Sequence, residues 1–223
     1  MCNLYAYRTP QAEARRILSV MTDRTGNQPP LPAVFPSQVA PVVRLARGGM
    51  REMLPMRWGL PAPQSGQRPV TNIRNVASVW WRPWLEPRWR CLVPATAFCE
   101  WTDTRPKVPH WFALGPERPL FAFAGIWQMR PSEPGGISGD YPIYGFLTTE
   151  PNALVRPVHA KAMPVMLTTP EEWDIWLRAP TNEALALQRP RAVERLEIVA
   201  TGEIEDPPTG VAPAQNPQLL LPI

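Results

Sequence analysis

RCLVPATAFCEW, residues 90–101, sets two apolar runs, Cys91–Val93 and Ala97–Trp101, one closely after the other. Apolar runs of this length, bounded by turn residues, read as strands. Downstream, Trp111–Leu114, Leu120–Trp127 and Ile143–Thr149 repeat the pattern, and upstream Pro41–Ala46 and Arg51–Trp58 form a strand pair around Gly48-Gly49. The middle of the chain is therefore β-rich. Helices are expected at its margins. Thr9-Pro10 reads as an N-cap with a first-turn proline, and Ala14, Ile17, Leu18 and Met21 share a face, predicting a helix over 10–22. Thr169-Pro170-Glu171-Glu172 opens a second helix that carries Trp173, Trp176 and Leu177 on one side. A short helix over Thr181–Gln188 and a late strand over Leu196–Ala200 complete the pattern. Residues 25–41 are turn-rich and proline-rich, 131–140 read as a surface loop, and 206–223 as a proline-rich end. With no internal repeat and no composition break, residues 1–223 are expected to form a single α+β domain.

Composition narrows the class. A chain of 223 residues that is 44% hydrophobic can bury one sizeable core. Its 31 prolines cut up long helices and central strands. Only 13 glycines rule out collagen or a flexible linker, and 10 tryptophans speak against disorder. The net charge of +4 is unevenly placed: residues 1–130 hold 17 Lys and Arg against 7 Asp and Glu, whereas 131–223 hold 6 against 12. A basic face built from the first half suits an anionic partner, and nearly all the cations are Arg, which favours bidentate phosphate contacts. Replacement of Lys by Arg in a GC-rich genome would give the same composition.

Cys2, Cys91 and Cys99 form no CxxC pair, and His110 and His159 add no metal-ligand spacing, so neither a metal nor any other cofactor is expected. Arg8, Glu13, Arg15 and Arg16 interrupt the start as a signal peptide, and no apolar run is long enough to span a membrane. The reading is a cytoplasmic protein with free thiols and no membrane partner, and a monomer.

Four features carry possible chemistry. Cys2 follows the initiator Met; with Met1 removed it would hold an α-amine and a β-thiol together, a pair that condenses with an aldehyde to a thiazolidine. Otherwise it is an incidental residue at a terminus. Glu100 stands at a strand end between Phe98 and Trp101, where desolvation raises a carboxyl into the range of a general acid or base; paired with an Arg, it would be an ordinary outward strand residue. His159, beside the rare Lys161, suits a proton carrier or phosphate ligand, or a capped turn, while His110 reads as a hairpin residue. Thr71-Asn72-Ile73-Arg74-Asn75 leads into Trp80-Trp81-Arg82-Pro83-Trp84 and Arg88-Trp89-Arg90, the interleaving of rings and guanidiniums found in single-strand nucleic-acid grooves, although most of these rings could equally fill the core. Cys99 beside Glu100 also allows a thiol hydrolase with His159 as base.

Taken in order, Met1-Cys2, Arg57-Trp58-Gly59-Leu60, Asn72 with Arg74, Arg90 through Ala95 into Phe98-Cys99-Glu100-Trp101, Phe123 through Trp127, Phe146 through Thr149, His159 with Met163 through Leu167, and Glu172-Trp173 with Trp176-Leu177 resemble the SOS response-associated peptidase (SRAP) family over roughly residues 1–180. The resemblance implies an antiparallel, barrel-like β core edged by short helices, and a sensor of abasic sites in single-stranded DNA. By that resemblance Cys2, freed of Met1, forms a thiazolidine DNA–protein crosslink with the ring-opened sugar. Glu100 shuttles protons, His159 contacts the sugar, and Asn72 hydrogen-bonds near Cys2. Arg74 binds phosphate, Trp58 and Trp101 lie near the DNA path, and Lys161 and Arg82 join the DNA-binding set. The same Cys and Glu imply autoproteolysis of the leader residue. The chain departs from the family pattern at Asn3-Leu4, where Gly-Arg is usual, and at His159-Ala160-Lys161, where His-Asp-Arg is usual. The rival expectations are a cysteine peptidase acting in trans and a non-covalent reader of modified bases.

Overall fold

A computed structural model describes residues 2–62, 68–131 and 140–209. Met1, all but the ends of the loop expected at 131–140, and residues 210–223 of the proline-rich end lie outside the described residues.

In chain order the elements are β1 (Tyr5–Tyr7), α1 (Gln11–Ile17), β2 (Thr22–Asp23), β3 (Leu31–Val34), β4 (Val39–Leu45), β5 (Arg51–Trp58), β6 (Asn72–Ile73), β7 (Arg90–Ala95), β8 (Ala97–Trp101), β9 (Pro109–Ala113), β10 (Phe121–Arg130), β11 (Tyr141–Thr149), β12 (Met163–Pro164), β13 (Met166–Leu167), α2 (Pro170–Arg178), α3 (Thr181–Leu185) and β14 (Glu197–Thr201). Strands β11, β10, β7, β4 and β5 pair antiparallel in that order. The ring then closes because β5 meets β11 again, in parallel, through Ile143 opposite Arg57 and Tyr144 opposite Trp58. The α+β, barrel-like expectation holds, with one refinement: the closing seam is parallel. A second sheet, ordered β14-β9-β8-β1-β3, leaves the barrel where Thr96 alone separates β7 from β8.

Alternation along β8 decides which side each residue serves. Phe98 turns into the main core, where it stacks on Phe112 at 5.1 Å. Cys99 packs into a separate small cluster with Leu4, Ala6, Trp111 and Ala113. The barrel interior is aromatic: Trp58 lies 5.1 Å from Phe146, which lies 4.6 Å from Phe123. Gly125 permits the close approach of β7 to β10, since a Cβ there would meet Cys91 Sγ at 2.7 Å and Val93 Cγ2 at 2.9 Å.

The helices are shorter than their apolar periodicity suggests. Helix α1 ends at Ile17, because Ser19 turns left-handed (φ 51°) and Met21 is exposed rather than on the buried face. Its N-cap position is Pro10, with no side-chain cap, so Thr9 does not cap it. Thr169 does cap α2: its Oγ1 accepts from Glu172 N at 3.2 Å, and Trp173, Trp176 and Leu177 are buried beneath. Strand β3 lies inside the stretch that reads as turn-rich.

Candidate functional site

The N-terminal segment runs beside β8. Cys99 N donates to Leu4 O at 2.9 Å, and Tyr5 pairs with Phe98, which sets Cys2 next to the end of β8 that carries Glu100. Cys2 is wholly buried, with its thiol 3.4 Å from Leu4 O and 3.9 Å from Cys99 O. Burial pushes the thiol well above its ordinary value, and the nearby Glu100 carboxylate pushes in the same direction.

Asn72 reaches the same point from the barrel. Strand β6 adds in parallel to β11, Asn72 opposite Phe146, and the Asn72 amide Nδ2 donates to Cys2 O at 2.7 Å and to Thr71 Oγ1 at 2.8 Å. Thr71 Oγ1 in turn donates to Asn3 Oδ1 at 3.1 Å, so the residue in the usual glycine position is tied into the site. Thr71 was not singled out by its chemistry in the sequence; its one signal is its place beside Asn72.

Glu100 is 2% exposed, and its Oε1 is buried without a hydrogen-bond partner among the described residues. Burial raises its carboxyl to about 8. His159 closes a turn in which Asn152 Oδ1 accepts from the Val155 amide and Val155 O accepts from the His159 amide. Its Nδ1 lies 2.9 Å from Ala162 O. A carbonyl only accepts, so Nδ1 carries the hydrogen and Nε2 is the basic nitrogen. Glu100 Oε2 stands 3.7 Å from Nδ1. Burial lowers the His159 pKa and raises that of Glu100, so near neutral pH this is a contact of two uncharged groups rather than an ion pair.

Cys2, Asn72, Glu100 and His159 therefore meet in one place. The expected DNA-binding residues are placed differently. Arg74 is exposed two residues beyond Asn72 and pairs with Glu150 at 3.3 Å. Lys161 is exposed two residues beyond His159, and Trp101 is half-buried against the Cys99 cluster. Arg82 is exposed on a 3-10 turn, Arg82–Leu85. Trp58 has no exposed surface; it fills the barrel and donates Nε1 to Thr71 O at 3.1 Å, supporting the site from behind. Cys99, on the opposite side of β8 from Glu100, is pushed by burial to about 12. Among the described residues no group of three His, Cys, Asp or Glu side chains could hold a metal, and no helix is long and apolar enough to cross a membrane.

Two relatives from Bacillus subtilis (strain 168) are similar in sequence. The abasic site processing protein YoqW is 30% identical over 131 residues, 56% of this chain and 55% of its own length. The abasic site processing protein YobE is 32% identical over 101 residues, 44% of this chain and 43% of its own. The matched part thus spans about half the length of these curated relatives. Two solved structures share the fold: a protein from Bordetella bronchiseptica (TM-score 0.71, 21% identity, covering 90% of this chain and 98% of that one) and one from Bacteroides thetaiotaomicron (TM-score 0.69, 20% identity, covering 88% and 90%). A family model described as SOS response associated peptidase (SRAP) matches residues 1–203, nearly the whole described chain. With that match, and with this fold and cluster, the chain belongs to the SRAP family.

Proposed function

We propose that the chain processes abasic sites in DNA, capturing the ring-opened sugar in single-stranded DNA as a thiazolidine on Cys2. The observation that carries the reading is the convergence of Cys2, Asn72, Glu100 and His159, and the names of the Bacillus relatives support it. Hydrolysis of the Met1–Cys2 bond, in which Cys2 and Glu100 take part, frees the α-amine. That amine adds to the C1′ aldehyde, and the carbinolamine loses water to give an imine. The thiol sulfur then adds to the imine carbon while its proton passes to nitrogen, closing the ring with a net release of water. A carboxyl raised to about 8 holds its proton at neutral pH and can deliver it to the departing hydroxyl. His159 Nε2 serves as the complementary base. Asn72 fixes the Cys2 carbonyl, and with it the orientation of the nucleophile. Arg74, Arg82, Lys161 and Trp101 hold the strand, while Trp58 supports Thr71 from within the barrel.

Peptidase chemistry through Cys99 lacks comparable support, because that thiol is raised and faces away from Glu100. The test is incubation with an abasic single strand. The wild type should give a heat-stable shifted band, lost in Cys2→Ala and on blocking the α-amine. A band that persists in Cys2→Ala sinks the proposal. Tight binding without a crosslink would point instead to a non-covalent reader.

A further inference from the structure

A second basic and aromatic surface lies apart from the Cys2 cluster. At the end of β4 the Arg44 guanidinium lies 4.1 Å above the centre of the Trp127 ring. Trp127 sits beside Trp89 at 5.3 Å, and Arg88 lies 5.5 Å over Trp89. Arg44, Arg47, Arg88 and Trp127 line a cavity of about 390 Å³, with Pro87 and Leu45 completing its wall. It continues into a neighbouring cavity of about 400 Å³ that shares Arg44 and Arg47 and adds Arg24 and Glu52.

Charge on this surface is one-sided. Glu52 is buried and already engaged by Arg44 at 2.7 Å and Arg24 at 3.3 Å. Arg88 pairs with the exposed Glu86 at 3.0 Å, in water where such pairs are weak. Arg47, exposed at the β4–β5 turn, has no acidic partner among the described residues. Trp127, on β10, pairs with Tyr144 of β11, whereas Asn72 of the Cys2 cluster lies on β6, across β11 from β10, opposite Phe146. The cavities share no lining residue with the Cys2 cluster.

We propose that this groove is a second, non-covalent seat for single-stranded nucleic acid, in which Arg47 and Arg88 hold backbone phosphates and Arg44, tied to Glu52, shapes the wall. Arg44 Nε and Nη2 are held by Glu52, which leaves the phosphate contacts to the exposed Arg47 and Arg88, whose planar guanidiniums suit bidentate phosphate contact. Trp127 is buried and Trp89 half-buried, so the rings brace the wall from beneath and a polyanionic strand is held through its phosphates. The proposal concerns intact DNA and needs no chemistry at Cys2.

The experiment is fluorescence anisotropy of the full chain with an oligothymidylate that has no abasic site, across a range of salt. Arg47→Glu/Arg88→Glu changes two exposed side chains; Arg16→Glu/Arg195→Glu, exposed elsewhere, matches it in charge. The groove variant should bind on the order of tenfold or more weakly at low salt. The slope of log K against log salt should fall by about 1.4, at about 0.7 per lost phosphate contact. Should the reversed side chains lower the melting temperature, Arg47→Ala/Arg88→Ala reads the same loss. Equal losses in the groove variant and the charge-matched variant, or an unchanged slope, would overturn the proposal. So would binding of polyglutamate as tight as that of the oligonucleotide. Crosslinking to an abasic strand at saturating DNA should survive in the groove variant, so failure here and failure of the Cys2 reading are told apart.

Discussion

Replacing Glu100 by Gln should make the protein more stable, and increasingly so as pH rises. The buried carboxyl has its pKa raised from 4.5 to about 8, and its Oε1 lacks a hydrogen-bond partner among the described residues. The folded chain therefore keeps a proton that the unfolded chain releases between those values. Stability contributed by the protonated group is present below the unfolded pKa and is lost as pH climbs through the folded one. At about 1.4 kcal/mol per pH unit, the full gap amounts to at most about 5 kcal/mol above pH 8, against a total stability of roughly 5–15 kcal/mol. Between about pH 6 and about pH 9 the wild type should lose about 3 kcal/mol relative to Glu100→Gln, since only about two pH units of the gap fall in that interval. Gln is nearly isosteric and cannot ionise, and the thiols are raised mainly by burial, which both proteins share. Urea denaturation at the two pH values, with linear extrapolation, measures the difference. Parallel profiles within about 1 kcal/mol, or a wild type that gains on the variant at about pH 9, would refute the assignment of a neutral buried carboxyl.

Asn72→Ala removes the 2.7 Å donor to Cys2 O and should cost about 1–3 kcal/mol by chemical denaturation while slowing crosslinking. Gly125→Ala forces a methyl within 2.7 Å of Cys91 Sγ and 3.2 Å of Cys91 O; overpacking of about 1–3 kcal/mol should lower the melting temperature, and a wild-type value would show that β7 and β10 can part. Asp206→Ala strips the buried Arg118 of its 2.8 Å partner and should cost about 3–5 kcal/mol, read as a fall in the denaturation midpoint.

The longer strands, β4, β5, β7 to β11 and β14, were legible as short runs with turn residues at their ends, and Ala97–Trp101 has the same bounds in sequence and structure, whereas β1, β2, β3, β6, β12 and β13, of two to four residues each, were not. The parallel seam was not. It rests on two residue pairs, Arg57 with Ile143 and Trp58 with Tyr144, distant in sequence and with no local pattern to announce them. Periodicity ran past the end of α1 because Leu18 is buried as a helical pattern requires, whereas the left-handed Ser19 is a backbone choice that hydrophobicity does not encode. Chemical type pointed to Cys2, Glu100 and His159, but that they meet depends on β1 pairing with β8 and on the turn held by Asn152. Trp58 shows the converse: the resemblance sets it near the DNA path, but the barrel closes over it.

The burial that makes Glu100 costly is also what gives the cluster a usable protonation state. In water at neutral pH a Glu is an anion and a His is a mixture, so neither presents an acid beside a base. Here desolvation moves them in opposite directions, leaving a carboxylic acid and a neutral imidazole whose basic nitrogen is Nε2. The same desolvation holds the Cys2 thiol protonated, so in the proposed reaction its proton passes to a neighbour as the sulfur attacks. It follows that the rate of crosslinking should fall as pH rises through about 8, where Glu100 loses its proton. An exposed aminothiol would behave in the opposite way. A crosslinking rate that climbs steadily through that range in the wild type, as it should for a peptide with N-terminal cysteine, would mean that the Glu100 proton takes no part in the slow step.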